Sequence, residues 1–285
     1  MAQHTSSVPP ILRRLAYGIL ITVFAFMGMA LFRDATFIHP TQAGILPFTA
    51  IDFPLGTDDL GRDLLARLSV GTQISMTVGI ATALVASTFG SVYGLVAGMN
   101  EGALGDALMR WVDVLYSLPG LMVVVLLSVF LEPYLLSSLP VSFAPFAKLS
   151  SLVVALSFFS WPEAARLIRG QVLALKHQDF VVAFYTLGGG MRRLIQVHFL
   201  PNLIPYVMIS LMVAVPRAIL TESTLSFIGL GMEAPLSSWG TLAYEGWFLI
   251  RVKPHIMLEA SLAIAVSMWA MNTVIRDLKH RWSLG

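Results

Sequence analysis

The chain has 285 residues, of which 56% are hydrophobic and only 12% charged, and its mean hydropathy is +0.78. A soluble globular protein carries roughly a quarter charged residues, so this chain cannot cover itself with polar surface and must use lipid as much of its solvent. A net charge of +2 excludes an extended nucleic-acid-binding surface, and the lack of cysteine excludes disulfides, thiolate metal sites and a cysteine nucleophile.

Six apolar segments follow one another, at about 15–32, 72–98, 111–131, 149–168, 202–230 and 256–275. Each approaches the ~20 residues a helix needs to cross ~30 Å of hydrocarbon. They are continuously apolar and do not alternate. This predicts an all-α polytopic membrane protein, a single transmembrane domain over 1–285, and not a membrane barrel. Arg13 and Arg14 close the N-terminal segment 1–14 and precede the first run. That run is too long for a signal-peptide core, and no small-x-small site follows it, so it reads as a retained span.

The loop at about 33–70 holds Asp58/Arg62 and Asp63/Arg67, both spaced i, i+4, which predicts a short surface helix. In the second span Ala86, Gly90, Gly94, Gly98 and Gly102 recur every four residues. Such a stripe lets another helix approach closely, either within this chain or on a second membrane subunit.

Between the fourth and fifth spans lies a partly charged insert, 176–201. Phe180, Ala183, Phe184 and Leu187 fall at i, i+3, i+4 and i+7 and share one face of a short helix. Gly188, Gly189 and Gly190 end that helix, Arg192 and Arg193 follow, and Leu200-Pro201 open the next span. The residues alone allow this apolar face to meet a partner protein or to lie on the membrane surface. The Lys/Arg distribution favours both termini and the insert on the cytoplasmic side, although Arg62 and Arg67 weigh the other way.

Sites for chemistry are missing from the pattern. There is no HExxH, GxSxG or GxxxxGK[ST], and the six histidines have no metal-ligand spacing. No Lys-Ser/Thr follows Gly188–Gly190, so that run reads as a helix break and not a phosphate cradle. No catalytic residue, metal site or cofactor is expected on this chain. Charges inside spans are costly and default to function. Arg217, after Pro216, is expected to face a water-filled path, where it would favour carboxylate-bearing solutes; the alternative is a structural partner on another helix. Glu222 is a second path candidate or a carboxylate near the outer interface. Five residues of helix set the two about 140° apart, which is poor for a direct pair unless Pro216 kinks the helix. Glu163 and Asp113 read as interfacial.

Several stretches together resemble one family. PLGTDDLGRDLLARLSVGTQISMTVG (54–79), LMRWVDVLYSLPGL (108–121), WPEAARLIRGQVLALKHQDFV (161–181) and LSFIGLGMEAPLSSWGTLAYEG (225–246) are similar, in order, to inner-membrane permease subunits of ABC importers of the dipeptide/oligopeptide/nickel class. The likeness runs from about residue 53 to 272. The 176–201 insert corresponds to the family's coupling loop, whose pattern is EAA, three residues, Gly, then a downstream Leu-Pro. Gly188, Leu200 and Pro201 match, and Ala183 matches the first alanine. Val182 stands where Glu is usual and Phe184 where the second Ala is usual, so this knob is more apolar than the pattern. Pro216-Arg217 also departs from the small residues common there.

The resemblance implies a type I permease fold with six transmembrane helices and a cytoplasmic coupling helix, in a bacterial inner membrane. It implies pairing with a second, similar permease, two ATPase subunits that hold ATP and Mg, and an extracytoplasmic solute-binding protein. Peptides are the leading solute; nickel chelates and peptide antibiotics are alternatives. A self-sufficient secondary transporter is the runner-up, without the inverted repeat it would need. An intramembrane enzyme is disfavoured by the missing motifs.

Overall fold

The computed structural model describes residues 8–30, 32–100, 102–138, 140, 144–232 and 236–283. Residues 1–7 of the N-terminal segment, Leu31 in the first predicted span and 233–235 of the 225–246 motif lie outside the described residues. The elements are α1 (Pro10–Met29), α2 (Leu64–Met99), α3 (Ala103–Ser117), α4 (Gly120–Ser138), α5 (Ala144–Lys176), α6 (Asp179–Thr186), α7 (Met191–Leu194), α8 (Leu200–Phe227), α9 (Trp239–Phe248) and α10 (Pro254–Ser283). A wide π-helical turn, Ile195–Phe199, joins α7 to α8 in one continuous rod. Among the described residues, six helices are long and apolar enough to cross a membrane: α1, α2, α4, α5, the α7–α8 rod and α10.

The third predicted span, 111–131, is broken in two. Pro119 has no amide hydrogen to continue α3, and it drives Leu118 to φ −75°, ψ 146°, off the helical region. Met122 and Val123 then donate to the Pro119 carbonyl and start α4. The fourth predicted span, 149–168, lies within the much longer α5. That helix runs on to Lys176, whose Nζ donates to the Met99 carbonyl at 2.8 Å and ties the end of α5 to the end of α2. Arg13 of α1 and Asp277 of α10 approach to 3.7 Å, so the first and last helices share an end of the bundle.

The helix predicted around Asp58 and Arg62 does not form. The Asp58 carboxylate accepts from the amides of Leu60 (2.9 Å) and Arg62 (2.8 Å) and from Arg62 Nε (2.6 Å). A short acidic side chain that captures nearby amides competes with helix, and Gly61 at φ +79° turns the chain instead. Asp63 caps α2 by accepting from the Leu65 amide and pairs with Arg33 at 2.5 Å. Arg67 is therefore not its partner. Buried in the first turns of α2, Arg67 grips Glu245 of α9 with two hydrogen bonds (2.6 and 2.8 Å) and Asp58 with a third (3.0 Å). One guanidinium thus joins the loop, α2 and α9.

Helix α2 lies at the centre, against α5 and α8. Its glycine stripe faces α5 of the same chain. A Cβ at Gly90 would fall on the Trp161 carbonyl and the Ala164 methyl, one at Gly94 on the Ala165 backbone, and one at Gly98 on Val172. Small residues on both helices let the backbones touch, which maximises dispersion contact where lipid offers no hydrophobic drive. Ala86 is buried beside this seam, with Trp161 and Ala165 in one cluster. Gly102 belongs to a different device. It sits at φ +75° before α3, with no atom within 4 Å of a built Cβ.

Gly94→Leu must push α2 off α5, costing about 1–3 kcal/mol or more, and should lower the melting temperature in detergent or abolish the monodisperse peak. Gly28→Leu, where a Cβ meets nothing within 4 Å, should change neither. Arg67→Ala removes the three hydrogen bonds that join the loop, α2 and α9 and leaves Asp58 with Arg62 as its cation. It should destabilise by about 1.5–3 kcal/mol, read as a melting shift that Glu245→Gln produces only in part.

Candidate functional site

The insert folds as a compact knob. Helix α6 starts after Gln178 in extended conformation and ends in a glycine cap. Gly188, at φ +78°, donates to the Tyr185 carbonyl, and Gly189 donates to the Phe184 carbonyl, both at 3.0 Å. This paired closure is a Schellman motif, and the left-handed residue in it is normally glycine. Gly190 then caps α7. The widened turn before α8 has a local cause. Pro201 cannot donate an amide and its ring crowds the carbonyl four residues back, so the Leu200 amide reaches to Ile195 instead.

Which side of α6 is free differs from the face predicted by spacing. Val181, outside that set, is the anchor. It is buried with Ile168 and Val172 of α5, with Leu194 and Phe199, and with Leu203 of α8. Phe184 turns inward, half-buried, its ring 5.2 Å from that of His198 and directly over Gly189. Phe180 flanks it, 5.7 Å from the same histidine. The outward face carries Val182 (60% exposed), Ala183 and Leu187 (87%), with Tyr185 at its edge. So the two departures from the family pattern do different work. Val182 adds apolar surface outside; Phe184 fills the knob's own interior. Leu200 and Pro201 are exposed at the start of α8 and shape its first turn.

A cavity of about 410 Å³ opens among α2, α3, α4, α5 and α8. Its wall is mainly apolar, and Ala86, Ser87, Ser210 and Thr221 contribute to it. Arg217 lines it and ion-pairs with Glu163 of α5, which also lines it. Tyr116 of α3 donates to Glu163 at 3.1 Å. Tyr116 in turn lies under the Arg166 guanidinium, 4.2 Å from the ring centre, and Arg166 pairs with Asp113 at 2.7 Å. Lys279 of α10 reaches the same cavity.

Glu222 is not on this wall. It is fully buried, accepting from Ser226 Oγ at 2.7 Å and Ser75 Oγ at 3.0 Å, with Ser223 Oγ at 3.4 Å. Ser238 donates on to Ser226, so the carboxylate knits α2, α8 and the start of α9. The structure therefore separates Arg217 from Glu222 and supplies Glu163 as its partner. Sequence reasoning set Glu163 aside as interfacial; the sign of its role was a charge directly after Trp161-Pro162 within an apolar run. Among the described residues, no group of three or more His, Asp or Glu could hold a metal ion.

The family model for binding-protein-dependent transport system inner membrane components matches residues 90–278, a region that holds the knob and most of the cavity wall. The chain is 36% identical over 223 residues to the oligopeptide transport system permease protein OppC of Bacillus subtilis (strain 168), covering 78% of this chain and 68% of that protein. It is 37% identical over 235 residues to the dipeptide transport system permease protein DppC of the same strain (80% and 68%). It is 31% identical over 218 residues to the glutathione transport system permease protein GsiD of Pectobacterium atrosepticum (76% and 68%). The chain belongs to this family. As a binding-protein-dependent inner membrane component, it is a multi-pass transport permease with an all-helical fold.

The knob of this permease makes a local prediction. Gly189→Ala drives a methyl into the Phe184 ring and should speed amide exchange across 179–187 by about tenfold. In a Phe184→Ala background the same change should cost nothing further. Additive effects in the four-variant cycle would contradict the contact.

Proposed function

We propose that this permease forms half of the path of an ATP-driven importer for di- or oligopeptides, and that its knob docks on a separate ATPase subunit. The observation that carries this is the exposed Val182–Ala183–Leu187 face on a helix held rigidly to both α5 and α8. An apolar face at a fixed angle, clear of the chain's own core, needs a partner to cover it. The activities for which the relatives are named, oligopeptide, dipeptide and glutathione transport, support a peptide solute.

In this reading the Lys/Arg-rich end, with both termini and the knob, faces the cytoplasm. A second, similar permease supplies the other half of the path. Two ATPase subunits hold ATP and Mg, and a binding protein delivers solute from outside. ATP draws the ATPases together, the seated knob moves with them, and α5 and α8 tilt as rigid rods. The cavity then alternates between inward and outward access. Arg217 faces that path from α8.

The test is the complex reconstituted in liposomes with its ATPases and binding protein. Burying a Val or Leu side chain is worth about 1.5–3 kcal/mol, so Val182→Asp or Leu187→Asp should weaken ATPase capture by about tenfold or more. Uptake should be lost while the permease stays folded. Wild-type capture and uptake in both variants would refute the docking face.

A further inference from the structure

Arg217 does not stand alone on the cavity wall. Its ion pair with Glu163 cancels its charge, and both partners are half-open to the cavity, at 55% and 42% side-chain exposure. No other hydrogen bond engages the guanidinium among the described residues, so most of its five N–H donors stay available. Glu163 keeps Oε1 on Tyr116 and turns Oε2 to Arg217. Lys279 forms no ion pair among the described residues. Around the pair, Leu121, Val124, Leu156, Phe159 and Val213 make an apolar wall.

A matched pair in such a place selects differently from a lone cation. A simple anion gains Arg217 but is repelled by Glu163, and a simple cation meets the reverse. A solute bearing both charges satisfies both residues at once, and the open cavity lets the two flexible side chains part to admit it. We propose that Glu163 and Arg217 form a zwitterion-reading site, with Arg217 taking the terminal carboxylate of a peptide and Glu163, held by Tyr116, its terminal ammonium. The apolar wall accepts side chains without reading them closely. This rests on the reading of the chain as a peptide-importer permease, and it revises the sequence-based expectation of a carboxylate-selective arginine.

A competing role is a structural latch between α5 and α8. The experiment separates the two with ATP-driven uptake of trialanine, N-acetyl-trialanine and trialanine amide. Each is supplied at a concentration that saturates the binding protein in the reconstituted complex. Each variant is compared with wild type on the same peptide, so delivery cancels. Arg217→Gln should slow trialanine and the N-acetyl form about fivefold and leave the amide unchanged. Glu163→Gln should slow trialanine and the amide about fivefold and leave the N-acetyl form unchanged. Equal slowing of all three peptides by either variant would assign a latch and overturn the proposal; so would no slowing of any. Failure of the wild-type complex to take up any of the three would overturn the peptide reading itself, and the site with it.

Discussion

Val181, Leu194 and Phe199 close over Ile168, Val172 and Leu203 and weld a short surface helix to two long membrane rods. Each of these side chains gains about 1.5–3 kcal/mol by leaving water, and together they fix α6 against α5 and α8. Without that plug the knob would be a tethered helix free to swivel, and motion imposed on it would dissipate in the linkers. With it, displacement of α6 is displacement of the rods. The glycine cap serves the same end, because a Schellman closure turns the chain within two residues and returns it to α7 with no slack. The central seam extends the rigid unit inward, since α5 touches α2 backbone to backbone at Gly90 and Gly94.

Charge is handled in three separate ways along the bundle. At the junction of the 33–63 loop with α2, Arg67 is buried against Asp58 and Glu245, and the compensated group becomes a joint between segments. Glu222 sits deep, meets no cation among the described residues and is satisfied by serine hydroxyls, so it ties three elements without offering itself to solute. Glu163 and Arg217 are compensated yet half-open, and they face a cavity. Only the third arrangement leaves donors and acceptors that a passing molecule can engage. Burial, more than residue type, distinguishes the structural charges from the ones proposed to touch solute.

How far the sequence alone reaches is clear from particular residues. The spanning helices rest on hydropathy, a property of composition that tertiary contacts do not alter. Their limits were harder. Pro119 splits a continuous apolar run through a backbone constraint, and α5 outruns its apolar centre because its polar turns are held by Lys176 on the Met99 carbonyl. The knob was legible as a glycine-ended helix, but spacing could not say which side was covered. Val181 is the anchor because α5 and α8 happen to meet it, and Phe184 turns inward because Gly189 leaves room. Asp58 and Arg62 have helical spacing and make their ion pair within a turn, since the carboxylate captured the amides first. Glu163 and Arg217 are 54 residues apart, and no local pattern links them.

The central claim is that the knob and the rods move as one body, and the lack of native cysteine makes it directly measurable. Spin labels placed by Tyr185→Cys, at the edge of the exposed face of α6, and Gly170→Cys on α5 report their separation by double electron–electron resonance in the complete transporter. The account predicts a single narrow distance that is the same in the nucleotide-free and ATP-trapped states. A shifted or second distance on ATP binding would mean that the knob swivels on its own, and a knob that swivels cannot carry the stroke.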